Sequence, residues 1–414
     1  MKSAIKNLWN NDYAKGGVFL TVASLFGSAL NYIFNFTIGH SLGPRGYGEI
    51  VAFNSYLGLT SIPITVLSTV LIQKISSSGR QMHQVAGEIE LFFLHRLKRW
   101  GFFFLFVFFI IPFVPRLTNL SPELAYFLVP TFVASLIGAF YSSSLNALKL
   151  FTTTAVLSIV GVLLKLSGAL LVATASQGLP TVTVFLFLSA IIPLIGSAYI
   201  FRRKIPPLKI DSTILNKRLK SILLSRIFIL TTLSVIGFTF FGNVDIIFVK
   251  KFFSPAESGI YSAWNLFAKI IFYLLGPIVS VSFIFFSGDK GRSLKPLFYT
   301  LIALCGIFGC AFIGYTFFAK TVILILFGSK FLSLQPYLSA ASIFGFFYAL
   351  IVFLNSYFLA KKHVAAVLLT AGLPFYVAAL FMFGKNMEQI VLINICFAVV
   401  IAGISLVSLK TIRS

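Results

Sequence analysis

Four ionisable side chains stand inside long apolar stretches of this 414-residue sequence: Lys165, Arg226, Asp245 and Lys269. A charge surrounded by hydrocarbon is costly and persists where it meets a counter-charge, a carbonyl or a water-filled cavity. Lys165 shares a helical face with Ser158, Gly161 and Gly168, whose small side chains leave room for a ligand. Lys269 shares its face with Ser262, Asn265, Tyr273, Gly276 and Ser280. Two such ammonium groups can hold an anion between them. The plain alternative for each is a neighbouring helix carbonyl, or snorkelling to the interface. Arg226 lies only about five residues into its run, roughly 7 Å deep at 1.5 Å per residue. It either snorkels or lines an inner mouth. Asp245 is the only carboxylate inside an apolar run, which suits it to a coupling proton or Na⁺. The alternative is an interfacial carboxylate partnered by a lysine such as Lys250.

Neutral polar residues form seams of their own. Ser24, Ser28, Asn31 and Asn35 recur at helical spacing, as do Asn54, Gly58, Ser61, Thr65 and Ser68. Such seams serve helix packing through small residues or hydrogen bonding to a hydrated ligand.

The elements that must position these groups follow from composition. Lys+Arg number 33 and Asp+Glu only 10, so about 10% of the chain is charged against the usual ~25%. Hydrophobic residues reach 58%, with 49 Phe. No water-soluble surface can be built from so few charges. A bilayer core of ~30 Å needs ~20 apolar residues per helix. That ruler gives twelve spans, at roughly 17–39, 48–72, 100–116, 124–148, 152–175, 179–201, 222–249, 259–285, 297–318, 335–359, 363–383 and 389–409. Eleven is the alternative if the short third one is re-entrant. The first apolar run is too long for a cleaved signal peptide.

The interspan cations divide 23 to 7 between the two sides, which puts both termini in the cytoplasm. Topology therefore explains most of the net charge of +23, and no nucleic-acid partner is expected. Residues 73–99 read as an amphipathic interfacial helix. The three cysteines lie in apolar runs and the four histidines have no paired spacing, so neither metal nor cofactor is expected. Short outer loops carry single carboxylates (Glu49, Glu123, Glu257, Glu388) and no acid/base pair or nucleophile triad, so the chain does not read as an enzyme.

Shifting the chain by 211 residues places Pro44, Gly48, Ala52 and Asn54 on Pro255, Gly259, Ala263 and Asn265. Six spans per half is even, so the repeats run parallel about an axis along the membrane normal. The expected fold is an all-α polytopic membrane protein of about twelve transmembrane helices in two six-helix lobes. These lobes span 1–205 and 222–414, joined by a basic linker at 206–221. Asn54 and Asn265 become a symmetric pair suited to sugar or phosphate.

The run Leu42-Gly43-Pro44-Arg45-Gly46-Tyr47-Gly48, followed by Tyr56, Pro63, Leu67-Ser68-Thr69 and Gln73-Lys74, resembles the opening hairpin of polysaccharide exporters. These form a branch of the multidrug/oligosaccharidyl-lipid/polysaccharide flippase superfamily. Ser254-Pro255-Ala256-Glu257-Ser258-Gly259-Ile260-Tyr261 and Leu326-Phe327-Gly328-Ser329-Lys330-Phe331 fit the same pattern. The resemblance implies a monomeric flippase of the cytoplasmic membrane that carries a polyprenyl-diphosphate-linked oligosaccharide, with possible proton or Na⁺ coupling. Span 1 lacks the charged residues of the drug-exporting and lipid II branches. The alternatives are a multidrug/cation antiporter or a non-transporting subunit of an envelope assembly complex. The first should show carboxylates where this chain shows lysines.

Overall fold

Hydrocarbon leaves no partner for an unpaired backbone group, so apolar chain of this kind has to become helix. The computed structural model describes residues 12–99, 101, 109–175, 178–205, 226–287 and 295–409, and contains no strand among them. The linker expected at 206–221 and most of the span expected at 100–116 lie outside the described residues. Nine helices among those described are long and apolar enough to cross a membrane.

The helices used below are α1 (Asp12–Ser76), α2 (Met82–Arg99), α3 (Pro122–Ala147), α4 (Phe151–Ala175), α5 (Leu179–Lys204), α6 (Arg226–Phe241), α7 (Val244–Phe252), α8 (Pro255–Ser287), α9 (Lys295–Phe317), α10 (Ala319–Leu326), α11 (Leu338–Ala360), α12 (Leu368–Phe383) and α13 (Met387–Ser408). At about 1.5 Å per residue, α1 is long enough for two crossings. It contains both of the first two expected spans, broken at Gly43. There φ is 67° and ψ −171°, a conformation essentially reserved for glycine. The loop expected at 40–47 is thus reduced to a single break with helix on either side. The span expected at 222–249 is instead two helices. Gly242 and Asn243 interrupt it, and Asn243 Nδ2 folds back onto Thr239 O at 2.7 Å. A Gly-Asn pair is a turn signal that an apolar run conceals.

Contacts divide the chain into two units, Met1–Ser41 with Thr60–Leu224, and Leu42–Leu59 with Ser225–Ser414. In the first, α2 lays its apolar face on the ends of α1, α3 and α5. Leu71, Ile75, Val85, Ile89, Phe140 and Phe201 form that core, and Phe93 stacks on Phe140 at 4.3 Å. Glu90 of α2 accepts from Tyr141 Oη (2.9 Å) and from Arg202 Nε (3.0 Å), pinning the helix in register.

In the second unit Trp264 stacks on Phe344 at 5.4 Å and donates from Nε1 to Tyr337 O. The backbone at Gly345 lies so close to α8 that a Cβ there would sit 2.2 Å from Ala268 O. Gly48 and Gly259, equivalent under the 211-residue shift, meet each other. A Cβ on Gly48 would lie 2.8 Å from Gly259 N.

A second repeat shows in the helix ends. α3 and α11 finish at Ala147 and Ala360, each followed by a lysine at positive φ, Lys149 (63°) and Lys362 (53°). Lys149 N bonds to Asn146 O and Leu150 N to Leu145 O, while Lys362 N bonds to Leu359 O and His363 N to Phe358 O. The same turn is built twice.

Candidate functional site

The first unit holds Lys165 on α4. Its Nζ stands 5.8 Å from the ring centroid of Phe34, within cation–π range. No hydrogen bond or carboxylate reaches it among the described residues. Two turns before it, Ala155, Ser158, Ile159 and Val162 face Ala23, Ser24, Gly27, Ser28 and Asn31 of α1 across a cavity of about 340 Å³. That is the small end of the ~300–1,000 Å³ usual for ligand sites. Asn31 Nδ2 donates to Gly27 O (3.1 Å) and Ser158 Oγ to Thr154 O (2.8 Å). With those donors spent on their own helices, Asn31 and Ser158 offer acceptor oxygens to an otherwise largely apolar cavity, and the hydroxyls of Ser24 and Ser28 can donate or accept. Asn35 Nδ2 likewise bonds back, to Asn31 O at 2.7 Å.

Part of the face read from sequence serves packing instead. A Cβ on Gly161 would lie 3.1 Å from Ser189 O, and one on Gly168 would lie 2.5 Å from Phe185 Cβ. These glycines let α4 approach α5. Room for a ligand comes from Ser158 and the seam on α1.

The second unit holds Lys269 and Asp245, and they belong to one cluster. Where the seventh span breaks, α6 ends with an unpaired carbonyl and α7 begins with unpaired N–H groups. Lys269 Nζ donates to Gly242 O at 2.6 Å, answering the negative end of α6. Asp245 stands in the first turn of α7, where the helix dipole favours an anion, and it is completely buried. Tyr261 Oη and Asn265 Nδ2 (2.8 Å) both donate to its Oδ2. Asn394 Nδ2 donates to Tyr261 Oη (2.9 Å), and Tyr376 Oη donates to Asn394 Oδ1 (2.8 Å). Among the described residues no side chain bonds Asp245 Oδ1, and the backbone N–H groups of Asp245 and Ile246 and the Lys269 ammonium also act on the carboxylate.

Asp245 is therefore not paired with Lys250. Lys250 bonds Glu49 Oε1 at 2.5 Å, and both are buried. Asn265 is engaged with Asp245, Asn54 is part-buried, and Arg226 stands exposed in the first turn of α6. Sequence reasoning missed Tyr376 and Asn394 as site residues. Asn394 is an amide set well inside an apolar helix and completely buried, a signal open to view in the sequence.

No family model matches this chain, and no curated protein matches it. Solved structures do. The chain is similar to a lipid II flippase, MurJ, in an inward closed conformation (TM-score 0.74, 16% identity, 95% of this chain and 87% of that one). It is also similar to an inward-facing multidrug resistance MATE family transporter (TM-score 0.66, 15% identity, 96% and 99%). A third is a transporter of the same superfamily from Pyrococcus furiosus, described as having a binding pocket of reverse polarity (TM-score 0.58, 17% identity, 98% of each chain). At these identities the likeness speaks for architecture alone. The chain is a multi-pass membrane protein, all-helical among the described residues, with the two-lobed, twelve-helix fold of these transporters.

Proposed function

We propose that this protein is a flippase that carries a polyprenyl-diphosphate-linked oligosaccharide across the cytoplasmic membrane, with its termini in the cytoplasm. Lys165 supplies the principal contact to the diphosphate. One observation carries this reading: Lys165 lies within an apolar helix with an aromatic ring as its neighbour and no anion of its own among the described residues. A cation so placed gains most from an anion brought by a ligand, because charge-assisted hydrogen bonds strengthen where water is excluded. In the cavity, Ser24, Ser28, Asn31 and Ser158 offer hydroxyl and amide groups that suit sugar hydroxyls. The polyprenyl tail stays in lipid throughout, so only the polar headgroup needs a hydrated path.

The two halves alternate access to opposite sides, as repeats of this kind do. A drug/cation antiporter would need a carboxylate open to its cargo. The one carboxylate read within a span, Asp245, is instead enclosed by Tyr261 and Asn265. The test is a flipping assay in proteoliposomes containing lipid-linked oligosaccharide. Lys165→Ala should slow translocation sharply, and Lys165→Glu should abolish it. Parental rates in both variants would refute the reading.

A further inference from the structure

We propose that Lys269 is a tethered counter-cation: its ammonium stands where a monovalent metal ion would otherwise bind at the break in the seventh span. The groups around it are those of a small-cation site. An interrupted helix turns a carbonyl, Gly242 O, away from its own ladder, and a buried carboxylate, Asp245, follows three residues later. Unwound carbonyls and half-helix C-terminal ends coordinate Na⁺ in discontinuous membrane helices, and a buried carboxylate adds the charge such an ion needs. Here the lysine takes the carbonyl at 2.6 Å.

Hydrogen bonding fixes the sign of the site. Tyr376 donates to Asn394, Asn394 to Tyr261, and Tyr261 to Asp245, while Asn265 donates to Asp245 as well. The relay runs toward the carboxylate, which accepts from both Tyr261 and Asn265, the arrangement an anion takes. These donors leave a net negative charge in the interior, and Lys269 supplies the balancing one. The 211-residue repeat supports the pairing independently. Asp245 falls on Phe34 and Lys269 on Gly58, while Asn265 falls on Asn54. The first half has the amide and neither charge, so anion and cation come as a pair.

The consequence is that the second unit is electrically complete without an external ion. Removing the ammonium alone frees Gly242 O and leaves it with Asp245 Oδ1, which no side chain bonds among the described residues, as two oxygens for a cation.

The test needs no cargo, so it stands or falls apart from the flippase reading. Thermal unfolding of the purified protein would be followed in choline chloride while NaCl, LiCl or KCl replaces it at constant ionic strength. The wild type should melt at the same temperature in every salt. Lys269→Met should melt lower in choline and recover saturably with one of the three metal ions. Asp245→Asn combined with Lys269→Met should be stable and indifferent to salt, because it removes both charges. Saturable stabilisation of the wild type by a metal ion would overturn the proposal. So would a Lys269→Met protein as stable as wild type in choline, or one that responds to none of the ions. If Lys269→Met cannot be purified, the double variant decides. Its recovery as a folded protein supports charge pairing at this site, and its failure overturns the proposal.

Discussion

Two lysines, one in each unit, show two ways of carrying a cation inside an apolar helix. Lys269 is enclosed by a carbonyl at 2.6 Å and a neighbouring carboxylate. Lys165 meets the face of Phe34 at 5.8 Å. The magnitudes decide what this difference means. Opposite charges about 4 Å apart attract by about 4 kcal/mol at an effective dielectric near 20. That is an upper bound for Lys269 and Asp245, which act on each other from beyond ion-pair contact, whereas a cation–π contact contributes ~0.5–2 kcal/mol. The ring cannot replace an anion, so Lys165 is left able to gain from a ligand and Lys269 is not. The repeat sharpens the contrast, because the residue at Asp245's place in the first half is Phe34 itself. One half has an internal anion where the other has the ring under its free lysine.

The comparison can be broken from either side. The largest effect is expected for Asp245→Asn alone, which leaves Lys269 without its counter-charge. Splitting a buried charge pair costs about 3–5 kcal/mol. Thermal unfolding should show a loss at the lower end of that range, reversed when Lys269→Met is added. Next comes Phe34→Asp, which gives the first unit the arrangement of the second. Lys165 would then be neutralised from within, and flipping should fall about 100-fold, roughly 2.7 kcal/mol, in proteoliposomes containing normal amounts of protein.

Lys165→Ala should reduce flipping about 10- to 100-fold, the ~1.5–3 kcal/mol of a hydrogen bond to a charged group. Lys165→Arg should fall between alanine and wild type, since charge is kept while its geometry changes. The smallest change is expected for Asn31→Leu, which removes one acceptor from the cavity. A single neutral hydrogen bond contributes ~0.5–1.5 kcal/mol, so the assay should show a drop of about 2- to 10-fold.

Much of the architecture was legible because hydrocarbon imposes it. The ends of α3, α4, α12 and α13 fall within a few residues of the expected spans, apart from the 3-10 turn that precedes α12. Breaks inside apolar runs were harder to see. Gly43 interrupts what reads as a loop, and Gly242-Asn243 interrupts what reads as one span, because hydropathy averages over a single turn. Lys165, Lys269 and Asp245 stood out as charges in apolar surroundings, and so did the seam on α1. Which of them meet was not visible. Helical spacing places side chains on a face but does not say which helix lies opposite. Gly161 and Gly168 therefore read as space for a ligand when they receive α5. Lys250 likewise read as a partner for Asp245 when it pairs with Glu49.

The most direct measurement compares two variants in one flipping assay with lipid-linked oligosaccharide: Lys165→Ala, and Asp245→Asn combined with Lys269→Met. Both remove intramembrane cations, but only the first removes one without an internal partner. The expected result is a 10- to 100-fold loss for Lys165→Ala (about 1.5–3 kcal/mol), with the double variant keeping most of the wild-type rate. The contradictory result is a double variant that loses flipping while Lys165→Ala translocates like wild type, which would move the anion site to Lys269.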